Sequence, residues 1–477
     1  MVKTIGNVQQ DAQVRAVASG TLSNGDTVVV NSDGTVSAVG IGSDSLGSTV
    51  TFDSDSTDRP AVAYDTTNNK VVIAYGNNTD SRGYAVVGTV SGTTITFGTP
   101  VQFNAGGCDH LGIAFANDKI FIVYEDEGNS SYGAGIIGTV SGTSISFGSE
   151  YVYNSGLSIN NRVVYDSGND KFFVFYRDGT NSYRGRGHVA AVSGTAITYT
   201  GAGYFTSGNA PYLTAVYDPV AGAIGMFFRD TVNGNQGRGV VITISGSTWS
   251  QGSWYTFNAA TGYISSSYDS ANGKIAVFYR DDGSVPAYGT AIAATISGTA
   301  LSYGSEQTFT SGEARTDYAA YATAAGSHCV LYHDATDSSK TKIITATLSG
   351  TTFTFGTQVD VSDSTSDEGY LAYDSDTEQV IISQPDSSAS KAGEATLFSP
   401  ASTNLTTDNF IGFADSGYVN GQNVGVDSTC SINSGQTSLT AGQKYYVQND
   451  GSLGTTAADP SVEAGIAISS TEILVKG

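Results

Sequence analysis

Several residue types are scarce in this 477-residue chain: it has three cysteines, two methionines, two tryptophans, eight prolines and a charged fraction of only 14%. Each scarcity narrows the choice. Cys108, Cys329 and Cys430 are far apart and odd in number, so no disulfide framework is implied and nothing points to an oxidising compartment. Few methionines and few charges argue against helical bundles, and no stretch sustains a helical period. No run approaches the ~18 apolar residues of a membrane span. The opening MVKTIGNVQQDAQVR lacks the apolar core of a signal peptide, so the expectation is a protein made in a cytoplasm. Basic residues are scarce too. Lys and Arg number 21 against 44 Asp and Glu, a net charge of −23. That balance offers no basic stripe for a nucleic-acid backbone and no attraction to an anionic membrane, so neither is expected as a partner.

What the chain has in quantity is glycine (59), tyrosine (28) and phenylalanine (20), together with many serines and threonines. From Tyr64 to Phe103 these residues form four short runs bounded by Gly, Asn, Asp or Ser, the pattern of a β-meander. The third and fourth runs meet at Ser91-Gly92, which suits a two-residue hairpin turn because glycine tolerates positive φ. The Ser-Gly pair returns with Gly142, Gly194, Gly246, Gly298 and Gly350, spaced 50, 52, 52, 52 and 52 residues apart. Two further markers keep step. Tyr-Asp recurs at Tyr64, Tyr165, Tyr217, Tyr268 and Tyr373, and aromatic-Arg-Asp recurs at Arg177, Arg229 and Arg280, with His333 replacing the arginine in a fourth copy. Four strands per ~50 residues is the range of propeller blades.

The fold class expected is all-β, a seven-bladed β-propeller of four-stranded blades. Six copies carry the Ser-Gly turn, and a seventh begins at Tyr373-Asp374 but meets Ser399-Pro400 where its turn should be. Its missing fourth strand is expected upstream. Gly47-Ser-Thr-Val-Thr-Phe52 matches Gly98-Thr-Pro-Val-Gln-Phe103, so an N-terminal strand (about 47–53) would complete the last blade and leave no bare sheet edge. The domains expected are an N-terminal β element (1–40), the propeller (41–403) and a small C-terminal β domain (404–477). The two ends share a plan: Leu22, Gly25 and Asp33-Gly34 are spaced like Leu439, Gly442 and Asp450-Gly451.

Those two ends carry a resemblance. SLTAGQKYYVQNDGSLGTT, followed by VEAGIAISSTEILV and preceded by Phe410-Ile-Gly-Phe-Ala, resembles small β modules of tail-fibre and appendage proteins of tailed bacteriophages, and NGDTVVVNSDGTVSAV resembles the same group. The resemblance implies a virion structural protein that displays the propeller for host adhesion. Its partners would be other virion proteins and a host-surface glycan or receptor, with several copies following virion symmetry. Assembly inside a bacterial host needs no signal peptide and leaves thiols reduced. A capsid-surface decoration, a polysaccharide-degrading propeller enzyme and a free lectin are the alternatives.

Function is expected on the loops joining second to third strands and blade to blade, which are longer and more varied than the Ser-Gly turns opposite. The candidate ligand-binding residues are Tyr132, Tyr183, Tyr212, Tyr263 and Tyr288, with Asp126, Asp178, Asp230 and Asp281: rings stack on sugar faces while carboxylates and amides bond hydroxyls. The repeated Arg-Asp pairs read more simply as blade architecture, either an ion pair or a turn-closing Asp. The Tyr-Asp marker reads as an Asp capping the hairpin between first and second strands. No carboxylate pair, Trp-Asp repeat or sialidase-type Asp box stands out, so no catalytic residue is assigned. His110, His188, His328 and His333 lack metal-ligand spacing, and Cys329 beside His328 reads as one core and one rim residue. No cofactor is expected. Calcium is the one cation considered, at Asp53, Asp55 and Asp58 or at Asp363, Asp367 and Glu368.

Overall fold

The computed structural model describes residues 13–362, 369–386, 390–458 and 460–476. Among these residues there is one 3-10 turn, Glu127–Asn129, and everything else regular is strand. Among the described residues no helix is long and apolar enough to cross a membrane. The chain divides into two compact units, residues 44–400 and residues 1–43 with 401–477.

Residues 44–400 contain seven antiparallel repeats. In the first, the end of Val50–Asp65 pairs with Lys70–Asn77, which pairs with Arg82–Ser91. Thr94–Phe97 and Val101–Asn104 then share the outer edge of Arg82–Ser91 as a broken fourth strand. The plan repeats from first strands Cys108–Ala116, Tyr151–Asp166, Thr214–Asp218, Thr261–Asp269, Gln307–Ala322 and Tyr370–Asp374. Three of the first strands run 16 residues, because one segment is outer strand to one repeat and first strand to the next. The first strands lie side by side in order, and Tyr370–Asp374 lies beside Val50–Asp65.

The upstream segment pairs where the sequence placed it. Val50, Thr51 and Asp53 stand opposite Ala395, Glu394 and Gly393 of the seventh repeat. Phe52 packs against Gly393, where a Cβ would come 2.3 Å from its ring. Phe103 packs on Gly83 in the first repeat in the same way, with a Cβ clash at 2.7 Å. Only glycine admits a ring so close to the backbone, so the aromatic and the glycine form one structural pair.

The hydrophobic effect explains why the second strands read as continuous apolar runs. Val71 to Tyr75 and Ile120 to Tyr124 are wholly buried, because each second strand is covered on both faces by its neighbours. For the same reason His328 and Cys329 are both core residues, correcting the expected core-and-rim division. The Tyr-Asp marker behaves as expected. Asp65, Asp166, Asp218, Asp269 and Asp374 each accept backbone N–H bonds from two and three residues onward, closing the first hairpin. The Ser-Gly turn sits one residue later than read: Ser91 pairs with Thr94, so the two loop residues are Gly92 and Thr93, with Gly92 at φ +59°. Glycine at the first loop position is what a type II′ hairpin needs.

The other unit interleaves the two ends of the chain. One sheet has the order Gln13–Val17, Asn423–Asp427, Phe410–Ala414, Thr27–Val30, Val36–Ala38. The second consists of Ile432–Asn433, Ile473–Val475, Val462–Ala467, Lys444–Val447 and Leu453–Gly454. The shared plan of the two ends is visible in their turns: Asp33 accepts from Thr35 N and Oγ1, and Asp450 from Ser452 N and Oγ.

Candidate functional site

At one end of the first strands the pairing with the second strand slips. The register jumps between Asp58 and Ala61, Asp109 and Gly112, Ile159 and Arg162, Gly262 and Ser265, and Thr316 and Tyr318. These are β-bulges, which bend a strand and re-aim a side chain. In four of them the bulged residue has left-handed backbone: Arg59 (φ +40°), His110 (+52°), Asn160 (+52°) and Tyr263 (+49°). Tyr212 holds the equivalent place before Thr214–Asp218, at φ +59°. The second strands end opposite them in Glu125, Arg177, Arg229, Arg280 and His333. These bulge and strand-end residues form the candidate site.

On one side of the site the rings of Tyr212 and Tyr263 meet at 4.7 Å, tilted by 38°. Arg280 and Arg315 lie over Tyr263 at 4.7 and 4.6 Å, and Arg229 lies 6.0 Å from Tyr212. Arg280 donates to Asp282 (2.6 Å) and Glu313 (3.0 Å), and Arg229 approaches Asp282 at 3.6 Å. Arg177 donates to the amide oxygens of Asn160 (3.0 Å) and Asn209 (2.7 Å) and lies 5.2 Å from the Tyr183 ring. Asn160, Arg162, Tyr212, Tyr263, Arg315 and Asp317 line a cavity of about 60 Å³ between them. Asp317 faces His333 Nε2 at 2.7 Å.

The other side holds Asp109, His110 and Glu125, whose ligand-type atoms all lie within 4.8 Å of one another. The sequence spacing of His110 had offered it no such partners; the bulge supplies them. Arg59 donates to Asp109 at 2.8 Å and touches His110 Nδ1, so a guanidinium stands where a cation would sit. Burial pushes the Glu125 carboxyl up to about 7. Burial, then the Arg59 charge, takes the His110 imidazole down to about 3, so it is neutral at neutral pH.

Of the residues expected from sequence, Tyr212 and Tyr263 meet here, and Tyr183 joins through Arg177 with 39% of its surface exposed. Tyr132 and Tyr288 each open a third strand, paired across the sheet with Leu157 and Glu313. The four acids are engaged as acceptors of neighbouring groups. Asp126 accepts from Asn104, Asp178 from Thr180 and Tyr204, Asp230 from Asn233 and Val232 N, and Asp281 from Gly283 N. Successive strand side chains point to opposite faces, so where the arginine of an Arg-Asp pair reaches the site its aspartate closes a turn. The aspartate is blade architecture, as expected, and the arginines pair or hydrogen-bond with neighbouring residues while lying beside the tyrosines. Asp53 and Asp55 are likewise occupied as acceptors, from Tyr75 and Asn77. The calcium candidates Asp363, Asp367 and Glu368, and parts of the loops 362–368 and 385–391, lie outside the described residues. Sequence reading missed Arg59, His110, Asn160, Arg162 and Arg315. Their positions recur at the blade spacing, but their residue types differ.

No protein-family model matches the chain, and no curated protein matches it. Similar solved structures include Sqt1 from Chaetomium thermophilum, 12% identical with a TM-score of 0.45 over 72% of this chain and 83% of that one. The polysaccharide lyase Uly1 is 11% identical with a TM-score of 0.47, over 72% and 89% of the two chains. A triple mutant of AofleA from Arthrobotrys oligospora is 10% identical with a TM-score of 0.41, over 70% and 92%. The site is read from its own residues.

Proposed function

We propose that the chain is a non-enzymatic saccharide-binding protein, and that it serves as an adhesin in an appendage of a tailed bacteriophage. The observation that carries the binding reading is the Tyr212–Tyr263 pair held between Arg229, Arg280 and Arg315. Tyrosine rings offer flat apolar surface to a sugar, guanidinium and amide groups offer fixed donors to its hydroxyls, and strained bulges hold both in place. Glycan-array binding without released product is the expected outcome, with Tyr263→Ala lowering affinity at least tenfold. An array with no saccharide bound would overturn the reading.

The appendage role rests on the resemblance of the two chain ends to phage tail-fibre modules, with those ends as the attachment and residues 44–400 toward a host glycan or receptor. Removing residues 1–40 and 404–477 should free the protein from particles; particles that retain it would show the attachment lies elsewhere. A hydrolytic reading has one observation in its favour: Asp109 and Glu125 present two carboxyls within 4.8 Å, and Glu125 is of the raised kind a general acid needs. Turnover of a polysaccharide, lost in Glu125→Gln, would establish that reading instead.

A further inference from the structure

We propose that the saccharide bound at this face is acidic, and that Arg315 receives its carboxylate or sulfate in the cavity beside Tyr263. The proposal rests on the saccharide reading and adds the chemical class of the ligand. Three observations support it. The first is where the positive charge lies. The chain carries an excess of acids, 44 against 21 basic residues, yet six of its eleven arginines (Arg59, Arg162, Arg177, Arg229, Arg280 and Arg315) gather at this one end of the first strands.

The second is how the local carboxylates are used. Asp282 and Glu313 pair with Arg280, with Arg229 also near Asp282; Asp109 pairs with Arg59, and Asp317 faces His333. Arg177 is fixed by neutral amides. Arg315 has no carboxylate within ion-pair distance among the described residues. Its guanidinium rests over the Tyr263 ring, and its solvent-shielded Nε finds no acceptor there. A guanidinium oriented by a ring face and left with unused donors is matched to a planar or tetrahedral oxyanion.

The third is size. About 60 Å³ holds the equivalent of roughly two waters, room for a carboxylate or sulfate and too little for a sugar ring. The ring therefore stays on the tyrosines while its acidic substituent enters the cavity.

The test uses the full chain on oligosaccharides carrying hexuronate, sialate or sulfate groups, each beside its methyl-esterified or desulfated counterpart. The acidic members should bind at least tenfold tighter than their neutral counterparts, and the difference should shrink as salt rises. Arg315→Gln should abolish that preference and Arg315→Lys should keep part of it, with both variants keeping the wild-type melting temperature within a few degrees. If Gln unfolds the protein, the Lys variant and the esterified ligands still decide the matter. A hexuronate that loses affinity at pH 3 while a sulfate keeps it identifies the carboxylate as the group received. Equal binding of acidic and neutral members, unchanged in Arg315→Gln, would overturn the acidic ligand and leave the saccharide reading standing. Absence of any saccharide binding would overturn both.

Discussion

Positive-φ backbone occurs at several points along the repeats, and two of them, the outer hairpin and the bulge of the first strand, are filled by opposite rules. At the outer hairpin the position is glycine every time: Gly92, Gly142, Gly194, Gly246, Gly298 and Gly350 lie between +59° and +62°. At the bulge of the first strand, backbone of nearly the same φ is occupied by arginine, histidine, asparagine and two tyrosines. A non-glycine residue there costs roughly 1–2 kcal/mol. Nothing lies within 4 Å of a Cβ at the outer glycines, so space does not select glycine there; the dihedral alone does. At the outer hairpin the least strained residue is used, although the first hairpins keep Asn69, Asp170 and Glu378 at similar φ. Where a side chain must point at the site, the strain is kept. The contrast holds between these two points of the repeat: the outer turn and the bulge.

The largest effect expected on either side of this contrast is in the scaffold. Phe52→Ala empties the space between Gly393, Tyr75 and Phe97, and should lower unfolding free energy by about 3–5 kcal/mol in denaturant titration. A loss below about 1 kcal/mol would mean that the upstream strand does not complete the seventh repeat in solution. Next comes the outer turn. Gly142→Val puts a β-branched residue at φ +61° and should cost about 1–2 kcal/mol with binding unchanged. The bulge should answer in the other sense. Tyr263→Gly relieves strain while losing ring contacts, so stability should move by about 1 kcal/mol or less while saccharide affinity falls at least tenfold. If Tyr263→Gly instead destabilises as much as Phe52→Ala, the bulge is scaffold as well and the contrast fails.

The smallest effect expected is on pH dependence. The folded-state value for Glu125, about 7, lies above its ordinary 4.5, so its protonated form is the one the fold favours. Its contribution to stability is complete below pH 4.5 and is lost as pH rises through 7. Glu125→Gln should therefore flatten that decline, gaining on the wild type at pH 8 and not at pH 4. His110 has the opposite sign: its lowered value means stability is present above pH 6.5 and is lost as pH falls toward 3. Thermal unfolding from pH 4 to 8 in Glu125→Gln and in His110→Gln separates the contributions.

Much of the scaffold was legible because it is written in residue types that recur. The Tyr-Asp hairpins, the near-placement of the Gly turns and the match of Phe52 to Phe103 all follow from local chemistry that admits few alternatives. The one-residue offset of the turn arose because Ser-Gly and Gly-Thr both satisfy a two-residue loop on paper, and only the pairing of Ser91 with Thr94 decides. The site was legible in part. Tyr212 and Tyr263 were found as aromatics on a loop, and Tyr183 likewise. Arg59, His110 and Asn160 were not, because a bulge is a backbone event that leaves no common residue type. Tyr132 and Tyr288 read as loop residues in the sequence, and pairing with Leu157 and Glu313 makes them the first residues of strands.

The interleaving of the chain's two ends bears on synthesis. Thr27–Val30 leaves the ribosome early, yet its partner Phe410–Ala414 follows only after all of residues 44–400. At about 5–20 residues per second, those 357 residues take roughly 20–70 s. Throughout that interval Val28 and Val29, both fully buried in the finished protein, have no second sheet strand from the far end to cover them. The repeats can begin to assemble as they emerge, one hairpin after another. The small unit must wait until Phe410–Ala414 has followed, which leaves its early strand in need of shelter in the meantime.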